Sequence, residues 1–201
     1  SEKVVIGGFF REDNTNLYTS AINMNTGHFY DKRNLVPFGE FQPFGTLLES
    51  FNDFFNIPNS SLSRGNANQE KADWSALICW ELAFNNTFTD RVKGTKYIIH
   101  MSNDKWYGES MPAQHLQHAK ARAVESNKWV ARATLDGISQ IISPRLNESS
   151  KTLERGEKGS ITHEISLNDV DTFYLKHGDA PLLIISILSL IFGFYSRKNE
   201  K

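Results

Sequence analysis

The sequence predicts an α/β fold, with helices laid on the faces of a sheet, followed by one apolar helix at its C-terminal end. Short apolar strands such as Tyr97–Met101 alternate along the chain with helical patterns, an order that covers a sheet with helices. The 201 residues, 39% hydrophobic and 22% charged, are enough for one self-sufficient core. No charged residue falls between Asp179 and Arg197, which sets the last segment apart from everything before it.

Val4-Val5-Ile6 reads as a buried strand that the Gly7-Gly8 pair breaks. Leu17 to Met24 suits a second strand, and Asn25-Thr26-Gly27 a turn before Phe29-Tyr30. Phe44, Leu47, Leu48, Phe51, Phe54 and Phe55 recur at helical spacing and predict an amphipathic helix over 44–55. Ser75 to Cys79 is a short strand, Phe84 to Lys93 a helix and Tyr97 to Met101 another buried strand. Ser110 is a good N-cap, with Pro112 in the first turn, for a helix running to about Trp129. Val130 to Thr134, Ile138 to Ser143 and Gly159 to Ile165 complete the strands, and polar Pro144 to Gly156 is a loop or hairpin.

The run Ala180 to Ser196 is apolar all round, whereas a core helix keeps a polar stripe. At 1.5 Å per residue it reaches roughly 25 Å, just short of the ~30 Å hydrocarbon layer. Tyr195 stands at its edge like an interfacial anchor, and the tail 197–201 is net basic. The expectation is a transmembrane helix over 180–196, with a cytoplasmic tail at 197–201 and the preceding domain on the outer side. At the other end Ser1 is followed by no basic region and no apolar signal segment. The chain is therefore expected to be the C-terminal part of a longer membrane protein.

Twenty-two basic residues against 23 acidic ones, a net charge of −1, argue against a dedicated nucleic-acid binder, which carries a basic excess. A lone cysteine excludes an internal disulfide and a Cys-rich zinc site. No cofactor is implied. His115 and His118 have no third ligand at metal-binding spacing, so they are expected to pack or hydrogen-bond.

Cys79 is the strongest chemical candidate. It ends the apolar strand Ala76-Leu77-Ile78 and is followed by Trp80-Glu81 and a helical stretch. A nucleophile at such an elbow is exposed at the sheet edge, where the next backbone N–H groups can point at a developing oxyanion. The alternative is a buried structural thiol. The segment Lys32 to Glu40 offers a cation for a tetrahedral intermediate and a carboxylate to hold it, or else is a solvated turn punctuated by Pro37 and Gly39. In Ser102-Asn103-Asp104-Lys105-Trp106-Tyr107-Gly108 the bland reading is a loop where Asn103 and Asp104 satisfy backbone groups. In 114–125, Arg122 lies on the helix flank with Glu125.

Taken together, KRNLVPFGEF at 32–41, LICWE at 77–81, SNDKWYG at 102–108, QHLQHAKARAVE at 114–125, RATLDGIS at 132–139 and TFYLKHGDAP at 172–181 resemble the nitrilase (carbon–nitrogen hydrolase) superfamily, and within it the apolipoprotein N-acyltransferases. Soluble nitrilases lack the LVPFGE segment, the SND-x-W-[FY]-G form and the tail helix. The resemblance implies a partial nitrilase-type αββα sandwich over 1–171, a linker at 172–179 and the membrane helix. It maps the nucleophile to Cys79, the oxyanion-stabilising lysine to Lys32 and supporting glutamates to Glu40 and Glu81. The backbone N–H of Trp80 joins them; the family usually has Tyr there. The family's general-base glutamate lies upstream of the lysine segment, and neither Glu2 nor Glu12 sits in its motif.

The activity implied is transfer of a fatty acyl chain from a phospholipid, through a Cys79 thioester, to the N-terminal diacylglyceryl-cysteine of a lipoprotein, at the bacterial inner membrane with the catalytic domain in the periplasm. The alternatives are a nitrilase-type amidase, which uses water as second nucleophile, and a non-catalytic membrane-tethered fragment. This stretch alone is expected to be inactive. The helix at 44–55 either dips into the lipid surface or packs on the sheet.

Overall fold

A computed structural model of the chain describes residues 3–43, 62–106 and 108–199. The helix expected over 44–55, and Tyr107, lie outside the described residues. The first layer is an antiparallel sheet of β1 (Ile6–Asp13), β2 (Asn16–Asn23) and β3 (Phe29–Asp31), in that order. Gly7 and Gly8 do not break β1: they pair with Ile22 and Ala21 of β2. Val4 and Val5 lie before the strand and are exposed. The ladder to β2 outweighs the weak strand preference of glycine, a difference of well under the gain from a full row of cross-strand pairs.

The second layer is a four-stranded sheet of β4 (Trp74–Ile78), β5 (Tyr97–Asn103), β6 (Val130–Leu135) and β7 (Gln140–Ile142). The first three strands are parallel and β7 is antiparallel to β6. The parallel crossovers are made by α1 (Asn85–Val92) and α2 (Met111–Ser126). Phe88 and Val92 of α1, and Leu116, Ala119 and Ala123 of α2, share one core cluster with Leu77, Ile98, Val130 and Ile142. Both helices therefore cover the same face. The opposite face carries Trp74, Ala76 and Ile78, which pack with Ala21 and Tyr30 of the first sheet. All five residues of β4 are buried, as expected for a parallel strand covered on both sides. The result, among the described residues, is three layers: helix, sheet, sheet.

α2 stops at Ser126 rather than near Trp129, because Asn127 takes a left-handed conformation (φ 53°) and its N–H returns to the last carbonyls. Residues 159–165 form no strand; Ile161 and Ile165 are half-buried, the other side chains are exposed, and the backbone pairs with no strand among the described residues. The stretch after Pro144 is a short 3₁₀ turn at Leu146–Glu148 with a bridge from Leu153 to Ser139. Residues 172–179, expected as a linker, hold α3 (Phe173–His177), whose Leu175 enters the helix-side core.

The final element is α4 (Ala180–Asn199). Its large apolar side chains from Leu182 to Tyr195 are 55–74% exposed, on every side of the helix. Among the described residues no helix is long and apolar enough to cross a membrane, so the span expected at 180–196 is not established by the fold.

Candidate active site

β4 delivers its chain to the carboxyl edge of the parallel sheet and then turns sharply. Cys79, half-buried, has φ 53° and opens the 3₁₀ turn Cys79–Ala83. A non-glycine residue held there costs about 1–3 kcal/mol and persists only where its surroundings over-determine it. The elbow expected from the sequence is thus present as a strained backbone with the thiol at its apex.

Glu81 is one source of that constraint. It is fully buried. One carboxylate oxygen accepts from Ile78 N at 2.9 Å, folding the turn back on the end of β4. The other accepts from Arg33 N (2.7 Å), Asn34 N (3.1 Å) and the Tyr30 hydroxyl (2.9 Å). Residues 33 and 78 adjoin Lys32 and Cys79 in the chain, so a single carboxylate clamps the lysine segment to the cysteine elbow. Burial pushes the Glu81 carboxyl up, and its backbone bonds oppose that shift. The Arg91 guanidinium lies 4.3 Å from the centre of the Tyr30 ring and completes the packing around the clamp.

Lys32 leaves the end of β3 and is 1% exposed. Its Nζ donates to both oxygens of Glu40, each at 2.7 Å. Glu40 also accepts from Val36 N at 2.8 Å, which closes the Val36–Glu40 turn under the ammonium. Glu40 is thus the carboxylate that holds the Lys32 ammonium. Gly65 lies against this segment: its N–H donates to Lys32 O, and a Cβ there would meet Asp31 O at 2.2 Å.

Sequence reasoning missed a second buried set behind the elbow. His100 Nε2 lies 3.1 Å from the Cys79 carbonyl oxygen, and Arg132 Nη1 lies 2.6 Å from His100 Nδ1. Arg132 also donates to Asp104 Oδ2 (2.8 Å) and Ile138 O (2.9 Å). Asp104 accepts from Ser102 Oγ and, at 2.9 Å, from His115 Nδ1. Burial, then the Arg132 charge, push His100 well below 6.5, so it is neutral. Burial alone raises Asp104, but bonds from His115 and Ser102 and the Arg132 charge outweigh it and bring the carboxyl below its usual value.

Asp104 therefore serves side chains, not the loop backbone expected of it, whereas Asn103 does accept from Lys105 N. His115 hydrogen-bonds as expected, and its ring lies 6.0 Å from that of Trp80; His118 is exposed. Arg122 bonds Glu125 at 2.6 Å and also Leu82 O at 2.7 Å, bracing the far end of the turn. The signal that would have exposed the second set is the parallel register, in which Leu77, His100 and Arg132 are successive neighbours across the sheet. Among the described residues no cluster of three or more His, Cys, Asp or Glu could hold a metal.

The carbon–nitrogen hydrolase profile matches residues 2–174. The chain is 36% identical over 181 residues to the apolipoprotein N-acyltransferase of Shewanella oneidensis, covering 86% of this chain and 34% of that protein. It is 36% identical over 177 residues to that of Haemophilus influenzae (83% and 33%) and 32% identical over 220 residues to that of Pasteurella multocida (98% and 42%). The chain thus spans about a third to two-fifths of the length of these curated relatives.

Proposed function

This chain belongs to the carbon–nitrogen hydrolase family, and from that premise we propose that it carries the nucleophile and oxyanion-stabilising groups of an apolipoprotein N-acyltransferase. The observation that supports this most is the Glu81 clamp, which fastens the Lys32 segment and the Cys79 elbow to one carboxylate. The relatives' shared name supports the acyl-transfer reading over simple hydrolysis.

In the proposed reaction a glutamate base, contributed from upstream in the full-length protein, takes the Cys79 proton. The thiolate attacks the ester carbonyl of a phospholipid. Lys32 and the Trp80 N–H stabilise the resulting oxyanion; the first N–H groups of a helical turn have no partner within it. The C–O bond breaks, the base returns its proton to the leaving alkoxide and a lysophospholipid departs. The α-amino group of a diacylglyceryl-cysteine then attacks the thioester. The C–S bond breaks, the ammonium proton passes by way of the base to the cysteine, and an amide remains. Glu40 keeps Lys32 aimed throughout.

Both substrates carry acyl chains that cost ~0.8 kcal/mol per CH₂ to expose to water, which favours a site at a membrane. α4 is the proposed anchor: its uncharged run, its all-round exposure and the basic tail Arg197, Lys198 and Lys201 fit a helix ending in the cytoplasm. The site then faces the periplasm of a bacterial inner membrane. The described chain alone is proposed to be inactive.

The test incubates the full-length protein with acyl-labelled phospholipid and a diacylglyceryl peptide. A hydroxylamine-labile label on Cys79 that passes to the peptide is the expected result. Release of free fatty acid, or of ammonia from amide substrates, would make the protein an amidase-type hydrolase. Absence of label on Cys79 would leave it a non-catalytic tether.

A further inference from the structure

We propose that His100 is a positioning residue that aims the oxyanion-binding N–H of Trp80 by fixing the carbonyl of Cys79. The proposal rests on the acyl-transfer reading and extends it to a residue outside the Cys–Lys–Glu set. A guanidinium has only donors, so the 2.6 Å contact from Arg132 Nη1 makes His100 Nδ1 the acceptor. The one proton of the neutral ring is then on Nε2, directed at Cys79 O 3.1 Å away. Three features keep Arg132 from turning: its bonds to Ile138 O and Asp104 Oδ2, and complete burial of its side chain. Asp104 is in turn fixed by Ser102 and His115.

The consequence lies in the peptide unit itself. Cys79 C=O and Trp80 N–H belong to the same planar trans amide, so they point in opposite directions. Holding the carbonyl inward, against a histidine on the helix-covered face of the sheet, turns the Trp80 N–H outward to the side where substrate arrives. Glu81 and Arg122 hold the residues before and after this peptide, at Ile78 N and Leu82 O. Among the described residues His100 is the side chain that bonds the peptide bearing the donor. A left-handed residue with its carbonyl untethered would rotate that donor away.

The experiment compares His100→Leu and His100→Gln in the full-length protein. Glutamine keeps a donor for Cys79 O and an acceptor for Arg132; leucine keeps neither. Two rates are read: formation of acyl-Cys79 from labelled phospholipid, and alkylation of Cys79 by iodoacetamide. Alkylation needs the thiolate but no oxyanion donor. His100→Leu is expected to slow acylation by about a hundredfold while alkylation stays near the wild-type rate, and His100→Gln is expected to recover most of the loss. Acylation by His100→Leu at the wild-type rate overturns the proposal. So does a parallel fall in alkylation, which would mean that the histidine acts on the sulfur or on folding. Wild-type protein that forms no acyl-Cys79 at all removes the acyl-transfer reading and this proposal with it. Independently, ¹⁵N-histidine spectra should show His100 protonated on Nε2 alone between about pH 5 and 8; a Nδ1–H ring or an imidazolium in that range overturns the assignment.

Discussion

Burying a carboxylate is costly unless every lone pair is used, and Glu81 uses its pairs on four donors from three segments. Glu81→Gln would turn an NH₂ group towards one side of that donor set and leave buried N–H groups unpaired. The expected loss is about 2–4 kcal/mol, read from urea unfolding, together with loss of Cys79 acylation. His100 predicts a pH effect. Unfolded, the imidazole takes a proton near pH 6.5; folded, burial and Arg132 keep it unprotonated well below that. Stability linked to His100 is therefore complete above pH 6.5 and falls as acidity passes down through that value, by at most about 1.4 kcal/mol per pH unit. His100→Gln should flatten this part of the curve of urea midpoint against pH; an unchanged slope would mean that the ring is not held neutral. Lys32, Glu40, Cys79 and Glu81 were legible in the sequence because each sits in a short local pattern. His100, Arg132 and Asp104 were not, since residues 28 and 32 positions apart are joined only by strand register.

Elements were legible where pattern and pairing agree. The parallel strands and their two crossover helices follow from apolar runs and helical spacing, and the site falls at the sheet edge that this order creates. The misses have physical causes: Asn127 could be read as ordinary helix until its left-handed φ was seen, and Gly7-Gly8 looked like a break because a hairpin partner cannot be weighed from one strand. The turn from β6 to β7 shows how an element serves the site. Asp136 has φ 53°, and a Cβ on Gly137 would meet Asp104 Oδ2 at 2.3 Å. Gly137→Ala must displace either the turn or the carboxylate that holds Arg132. It is expected to cost about 1–3 kcal/mol, measured by thermal melting, and to slow Cys79 acylation; a variant with wild-type melting and wild-type rate would show that the turn yields freely.

On the scale of the molecule, three packed layers support the edge that carries Cys79 while α4 presents its apolar side chains outward on all sides. A contiguous apolar surface of that kind marks a membrane or protein contact. The 201-residue chain should float with phospholipid vesicles in a density gradient, and a version ending at Asp179 should stay at the bottom; equal sedimentation of the two would assign lipid binding to another part. The left-handed backbone at position 79 has a different reach. Glycine meets no steric penalty there, whereas alanine keeps it at about 1–2 kcal/mol. Cys79→Gly is therefore expected to melt above Cys79→Ala by about 2–8 °C for a chain of this size; equal melting temperatures would show no tension at the turn. If the difference appears, the residue best suited to endurance at this site is one that cannot react, and heat resistance alone would never have selected a thiol there.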